Sequence, residues 1–260
     1  KDGSFDGKTV EVGCVEFKNV SFKYPDANEY LLKNISFKVN KGQTIAFIGS
    51  TGSGKSSLIN LVPRFYDVTD GEVLVDGVNV KDYTLKALHD KIGYVPQKAV
   101  MFTGTVKSNV CYGNKSVSEE EMKKAIDVAQ GTEFVSKMNK TYDAHIARGG
   151  TNVSGGQKQR LAIARAIAKK PEIYIFDDSF SALDYKTDSV LRSELKKYTS
   201  DATNLIVAQR IGTILNADVI VVLDKGKCVG MGTHKELMEN CPVYKEIALS
   251  QLSKEELNNA

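Results

Sequence analysis

The chain has 260 residues, 26% of them charged and 42% hydrophobic, which is enough for one sizeable core with subdomains or for a pair of small domains. Thirty-five lysines and arginines against thirty-two acids leave a formal net charge of +3, too weak to direct the chain to nucleic acid or to an anionic membrane surface. The longest apolar stretches, such as Val219 to Leu223, are far shorter than a bilayer span, so a globular fold is expected. The first residues carry neither a signal-peptide core nor a methionine, and the chain is expected to be a fragment of something longer. Cys14, Cys111, Cys228 and Cys241 are scattered, with no paired spacing and no histidine cluster, as isolated thiols in a reducing compartment would be.

Residues 1–12 are polar and without periodicity and read as a linker. Val15 to Phe22 and Leu32 to Val39 alternate apolar and polar residues in part, as half-buried antiparallel strands do, with a turn-rich stretch from Tyr24 to Glu29 between them. Ile45-Ala46-Phe47-Ile48 reads as a buried strand, and it runs directly into Gly49-Ser50-Thr51-Gly52-Ser53-Gly54-Lys55-Ser56. That octapeptide fits G-x-x-x-x-G-K-[ST] without a gap, and Ser57 continues it. The glycines let backbone N–H groups curl around a β-phosphate, Lys55 neutralises β- and γ-oxygens, and the Ser56 hydroxyl can ligate Mg²⁺. The chain is therefore expected to bind a nucleoside triphosphate with Mg²⁺. A helix should follow with Leu58, Leu61, Val62 and Phe65 facing the core, kinked or ended by Pro63.

Glu72 to Gly77 and Val78 to Val80 read as short strands, and Ser118 to Lys140 as helical, with Met122, Ile126, Ala129 and Phe134 buried. A second helix is expected over Gly156 to Lys169. Ile173-Tyr174-Ile175-Phe176 then ends in Asp177 and Asp178, as a buried parallel strand delivers acids to the carboxyl edge of a sheet. Asn204 to Ala208 and Val219 to Leu223 read as strands, the latter turning into a hairpin with Cys228 to Met231, and Lys235 to Ala260 is helical in pattern with a polar end at 251–260.

A second phosphate-directed element lies in Val153-Ser154-Gly155-Gly156-Gln157-Lys158-Gln159-Arg160. Ser154 with Gly155 and Gly156 opens a helix as an anion-binding nest, although an ordinary N-cap accounts equally well for Ser154 alone. The P-loop already covers the phosphates from one side. The natural resolution is a nest that serves a γ-phosphate held by another subunit.

With these motifs in this order, the chain resembles the nucleotide-binding domain of ATP-binding cassette transporters from Val12 to Leu249. The resemblance implies an α/β P-loop NTPase core with an antiparallel β subdomain and an inserted α-helical subdomain at about 100–170, within a domain spanning 13–250. It implies that Tyr24 stacks on adenine, and that Gln97 reaches Mg²⁺ and the attacking water. It likewise implies that Asp177 is the Mg²⁺-associated acid, Ser154 to Gln157 the signature, and Ser181-Ala182-Leu183-Asp184 the loop that crosses a dimer interface. Met101 to Val106 and the linker at 1–12 look more like exporters with a fused membrane domain. Such a protein would sit at the cytoplasmic face of the cell membrane, beside its own transmembrane domain and a second nucleotide-binding domain, with no nucleic acid as partner.

Val153 stands where the signature usually has leucine, His145 to Gly150 lack the acidic residues usual in exporters, and two catalytic positions also depart from the family pattern. Asp178 stands where the family places a glutamate that polarises water, and Gln209 where it places a histidine contacting the γ-phosphate. A catalytic acid one methylene short, with an amide that cannot carry charge, predicts slow hydrolysis at this chain's own site. With Ser154 to Gln157 intact, the pattern resembles the degenerate-site subunit of a heterodimeric multidrug-type exporter. A regulatory ATP-binding module with negligible turnover and half of a homodimeric exporter with slow hydrolysis are the other readings.

Overall fold

The computed structural model describes residues 1–252, so that residues 253–260 of the polar tail lie outside the described residues. β1 (Val15–Phe22) and β2 (Leu32–Val39) bury Phe17, Val20 and Phe22 against Leu32, Ile35 and Val39, and they pair antiparallel from Val15↔Val39 to Phe22↔Leu32. β3 (Thr44–Gly49) leads through the glycine-rich loop into α1 (Lys55–Ile59). β4 (Asp70–Val75) and β5 (Val78–Asn79) form a hairpin, completing an antiparallel sheet of order β2-β1-β4-β5. α2 (Leu85–Asp90) and β6 (Ile92–Val95) follow. A largely helical portion then comprises β7 (Gly104–Thr105), α3 (Val106–Val110), α4 (Glu119–Val128), α5 (Thr132–Ser136), β8 (His145–Ile146) and α6 (Gly155–Lys169). The chain returns through β9 (Ile173–Asp177), α7 (Tyr185–Tyr198), β10 (Thr203–Val207) and α8 (Ile211–Ile214). It continues through β11 (Val219–Asp224), β12 (Lys227–Gly232), α9 (His234–Asn240) and α10 (Pro242–Gln251).

The second sheet runs β12-β11-β3-β10-β9-β6, with β12 antiparallel and the other five strands parallel. Because successive side chains point to opposite faces, its strands feed two cores. Ile45, Phe47, Ile173, Ile175 and Leu205 pack with α1 and the antiparallel sheet, whereas Ala46, Ile48, Tyr174, Phe176 and Ile206 pack with α6 and α7. Phe47 is fully buried, its ring 5.3 Å edge-on from Phe37. Phe47→Ala should remove about 3–5 kcal/mol of stability, read as a lower urea midpoint with an unchanged slope. Among the described residues no helix is long and apolar enough to cross a membrane.

Four local expectations are corrected. The helix after the glycine-rich loop ends at Ile59, four residues before Pro63, and Phe65 is 49% exposed rather than buried with Leu58, Leu61 and Val62. Pro63 disfavours helix at Val62, so the chain leaves through the shorter bonds Leu61 N–H to Leu58 O and Val62 N–H to Ile59 O. The helical stretch from Ser118 divides into α4 and α5 because Gln130 takes φ 61°. The bonds Gly131 N–H to Ile126 O and Gln130 N–H to Asp127 O then close the end of α4 as a Schellman motif. Phe134 is only half-buried, 4.7 Å beneath the Arg160 guanidinium, and Val135 takes the core position. The tail helix is likewise two helices, since Pro242 cannot continue α9 but can begin α10. α7, which the sequence pattern did not signal, spans 14 residues.

Within the stretch read as a linker, Gly3, Ser4 and Phe5 are held against the Asp82–Tyr83 segment. Phe5 N–H and Ser4 N–H bond to the Asp82 carbonyl, and the Phe5 ring lies 4.9 Å edge-on from Tyr83.

Candidate nucleotide site

Strand register assembles the site. Leu223 pairs with Gly49, Val207 with both Phe47 and Asp177, and Val95 with Phe176. The glycine-rich loop, the paired aspartates, the Pro96-Gln97 turn and the Ala208-Gln209 turn therefore all leave the same carboxyl edge of the parallel sheet. That edge, where strand order reverses, is where open α/β sheets bind ligands.

Two glycines of the loop are fixed by space. A Cβ at Gly49 would lie 2.2 Å from the Leu223 carbonyl oxygen, and one at Gly54, whose φ is 100°, would lie 2.6 Å from Leu32 Cδ2. Lys55 is 8% exposed and donates from Nζ to the Gly49 carbonyl at 2.6 Å. Burial pushes its pKa down, while Asp178 and Asp177 pull it up from a distance without contacting it. Among the described residues this buried ammonium has no ion-pair partner, so a polyphosphate is the ligand its surroundings fit.

Ser56 Oγ donates to Asp177 Oδ1 at 2.9 Å, and the Tyr94 hydroxyl approaches Asp177 Oδ2 at 3.5 Å while donating to Asn60 Oδ1 at 3.0 Å. Gln97 Nε2 donates to Asp178 Oδ2 at 3.3 Å. Asp178 is in the left-handed region, φ 49°, which aspartate tolerates better than most residues, and its N–H bonds to the Val207 carbonyl at 2.8 Å. Burial raises the pKa of both aspartates; the Ser56 hydroxyl opposes the shift at Asp177, and the Gln209 N–H opposes it at Asp178. Tyr24, from the turn after β1, shares a hydrogen bond of 2.7 Å with Ser57 Oγ and stands 5.1 Å edge-on from Tyr66. The structure thus gathers Tyr24, Gly49 to Ser57, Gln97, Asp177, Asp178 and the Gln209 backbone.

Ser154 to Gln157 lie elsewhere. Ser154 caps α6 in a reciprocal box, its Oγ accepting from Gln157 N–H at 3.2 Å while its own N–H donates to Gln157 Oε1 at 3.0 Å. Ser154 and Gly155 are exposed, and among the described residues none of the four hydrogen-bonds to the glycine-rich loop. Residues that sequence reasoning missed connect these parts. Buried Gln159 of α6 donates to the Pro96 carbonyl at 3.2 Å, one residue before Gln97, and Arg210 donates to the carbonyls of Leu183 and Ser181 at 3.0 and 2.9 Å. Their partners are backbone carbonyls, which leave no trace in a sequence pattern.

The fold and this edge define a P-loop nucleotide-binding protein. The chain belongs to the ABC transporter family, whose ATP-binding domain model matches residues 32–181. It is 47% identical over 242 residues to an uncharacterized ABC transporter ATP-binding protein of Mycobacterium tuberculosis, covering 92% of this chain and 41% of that protein. It is 42% identical over 238 residues to a Staphylococcus aureus ATP-binding/permease protein named for multidrug export, again covering 92% and 41%. A solved bacterial Atm1-family ABC exporter with ATP bound superposes with a TM-score of 0.90 at 33% identity, over 98% of this chain and 44% of that one. The chain thus spans about two fifths of the length of the curated relatives it matches.

Proposed function

We propose that this chain is the ATP-hydrolysing motor domain of a membrane exporter. Its own P-loop would form a slow site, and Ser154 to Gln157 would complete the site of a second nucleotide-binding domain on a different chain. The observation that carries this reading is an asymmetry. The acid beside Asp177 is Asp178, within 3.3 Å of Gln97 Nε2 but one methylene shorter than glutamate, whereas Ser154 to Gln157 close a reciprocal cap on α6 with Ser154 and Gly155 exposed.

Tyr24, held by Ser57, would present its ring to adenine, and Lys55 would exchange the Gly49 carbonyl for phosphate oxygens. Ser56 and Asp177 are oxygen donors already in contact, a donor set suited to Mg²⁺, which commonly takes one or two protein ligands and fills its shell with phosphate and water. When bound, Mg²⁺ neutralises charge on the phosphates. Gln97 and Asp178 would orient the attacking water. Residues 1–12 would lead from a transmembrane domain, placing the motor at the cytoplasmic face of the membrane.

Because each complete site needs a signature from another chain, the purified domain is expected to be mainly monomeric by sedimentation and nearly inactive. Turnover should appear when the partner chain is added. Robust turnover independent of protein concentration would contradict the shared-site reading.

A further inference from the structure

We propose that Gln251, the last residue of α10, is a positioning residue for the turn that carries Gln209. The inference rests on the functional reading above and extends it: Gln209, which stands where the family places a histidine contacting the γ-phosphate, is taken to meet that phosphate with its amide. β10 keeps one further ladder bond after Val207, from the Ala208 N–H to the Phe47 carbonyl at 3.3 Å, and α8, which begins at Ile211, receives no side-chain cap from Arg210. From Gln209 to Ile211 the turn therefore lacks the bonds that a strand or a capped helix would supply.

Gln251 supplies two. Its Nε2 donates to the Gln209 carbonyl at 2.8 Å, and its Oε1 accepts from the Ile211 N–H at 2.8 Å. A carboxamide has the donor and acceptor of a peptide unit, so this pair brackets Arg210 as a neighbouring strand would, with Arg210 extended at φ −90° and ψ 121°. The helix that delivers the carboxamide is itself fixed. Tyr244 and Ala248 are fully buried, and the Tyr244 hydroxyl shares a 2.6 Å hydrogen bond with His234 Nδ1.

Holding residue 210 directs its neighbours on both sides. The Arg210 guanidinium reaches the Ser181 and Leu183 carbonyls, lies 4.7 Å over the Tyr185 ring and 3.7 Å from Asp188 Oδ2. Two residues before Gln209, the Val207 carbonyl accepts from the Asp178 N–H at 2.8 Å, tying the Asp178 segment to the same turn. Gln251 thus sets one short backbone segment on which the Asp178 side and the Ser181 to Asp184 loop both depend. Its role would be to keep the Gln209 turn in the geometry that distinguishes triphosphate from diphosphate.

The test uses the full-length transporter with its partner. Photoreactive azido-ATP is crosslinked to this chain, which separates its site from the partner's, and competed with AMP-PNP or ADP in the presence of Mg²⁺. Gln251→Leu removes both bonds, and Gln251→Glu keeps only the acceptor. Losing two hydrogen bonds of ordinary strength should lower the preference for AMP-PNP over ADP by at least about fivefold in the leucine variant and by less in the glutamate variant, with ADP affinity unchanged. An undiminished preference in Gln251→Leu would overturn the inference. A parallel loss of AMP-PNP and ADP affinity would also overturn it, because it would mark a general structural defect. If the wild-type chain itself showed no preference for the triphosphate, the reading of Gln209 would fail first and the inference with it.

Discussion

Lys55→Ala is expected to weaken Mg-ATP binding by at least about a hundredfold, as two charge-assisted hydrogen bonds to phosphate are lost. The ammonium is nearly enclosed, and burial already works against its charge. Its partner is a neutral carbonyl at 2.6 Å, so an anionic phosphate oxygen would be a much stronger acceptor. The alanine side chain restores nothing in that space. Fold stability should change little or rise slightly, since an unpaired buried cation is removed. Calorimetric titration with ATP, alongside thermal unfolding without nucleotide, separates the two effects. An unchanged affinity in a folded variant would show that the loop is not the phosphate site.

The second large effect is a contrast between two variants assayed with the same partner in membranes or detergent. Ser154→Arg should lower ATP turnover of the assembled transporter by about a hundredfold or more. Loss of a single preorganised donor at a developing charge costs that much in other enzymes. The substitution would also remove the Oγ that accepts from Gln157 N–H, and the reciprocal box at the start of α6 with it. Asp178→Glu, by contrast, should change overall turnover only modestly. It lengthens the acid at a site through which little of the flux passes, although a shift of about 1 Å can matter a hundredfold where chemistry is limiting. Abolished transport in Asp178→Glu together with untouched ATPase activity in Ser154→Arg would reverse the assignment of weak and strong sites.

The sequence alone determined the elements whose signal is local. Gly49 to Ser56 needs no distant residue to be recognised, because it is a contiguous backbone conformation with a cation at a fixed offset. The strand Ile173 to Phe176 is a continuous apolar run because both its faces are buried, and it ends where the acids begin. The hairpin of Val219–Asp224 with Lys227–Gly232 was legible for the same reason.

What the sequence left open was decided by register and by backbone partners. That Gln97 meets Asp178 follows from Val95 pairing with Phe176 on a strand 81 positions away, a distance in sequence that no periodicity encodes. Tyr24 reaches Ser57 only because the antiparallel sheet packs over α1. The ends of α1 and α4 depended on how a proline and a left-handed glutamine were accommodated, not on the apolar pattern, which runs through both breaks. Gln159, Arg210 and Gln251 bond to main-chain carbonyls and amides, groups that every residue carries. Only the folded chain brings those groups within reach, so only the tertiary structure could show what these three side chains hold in place.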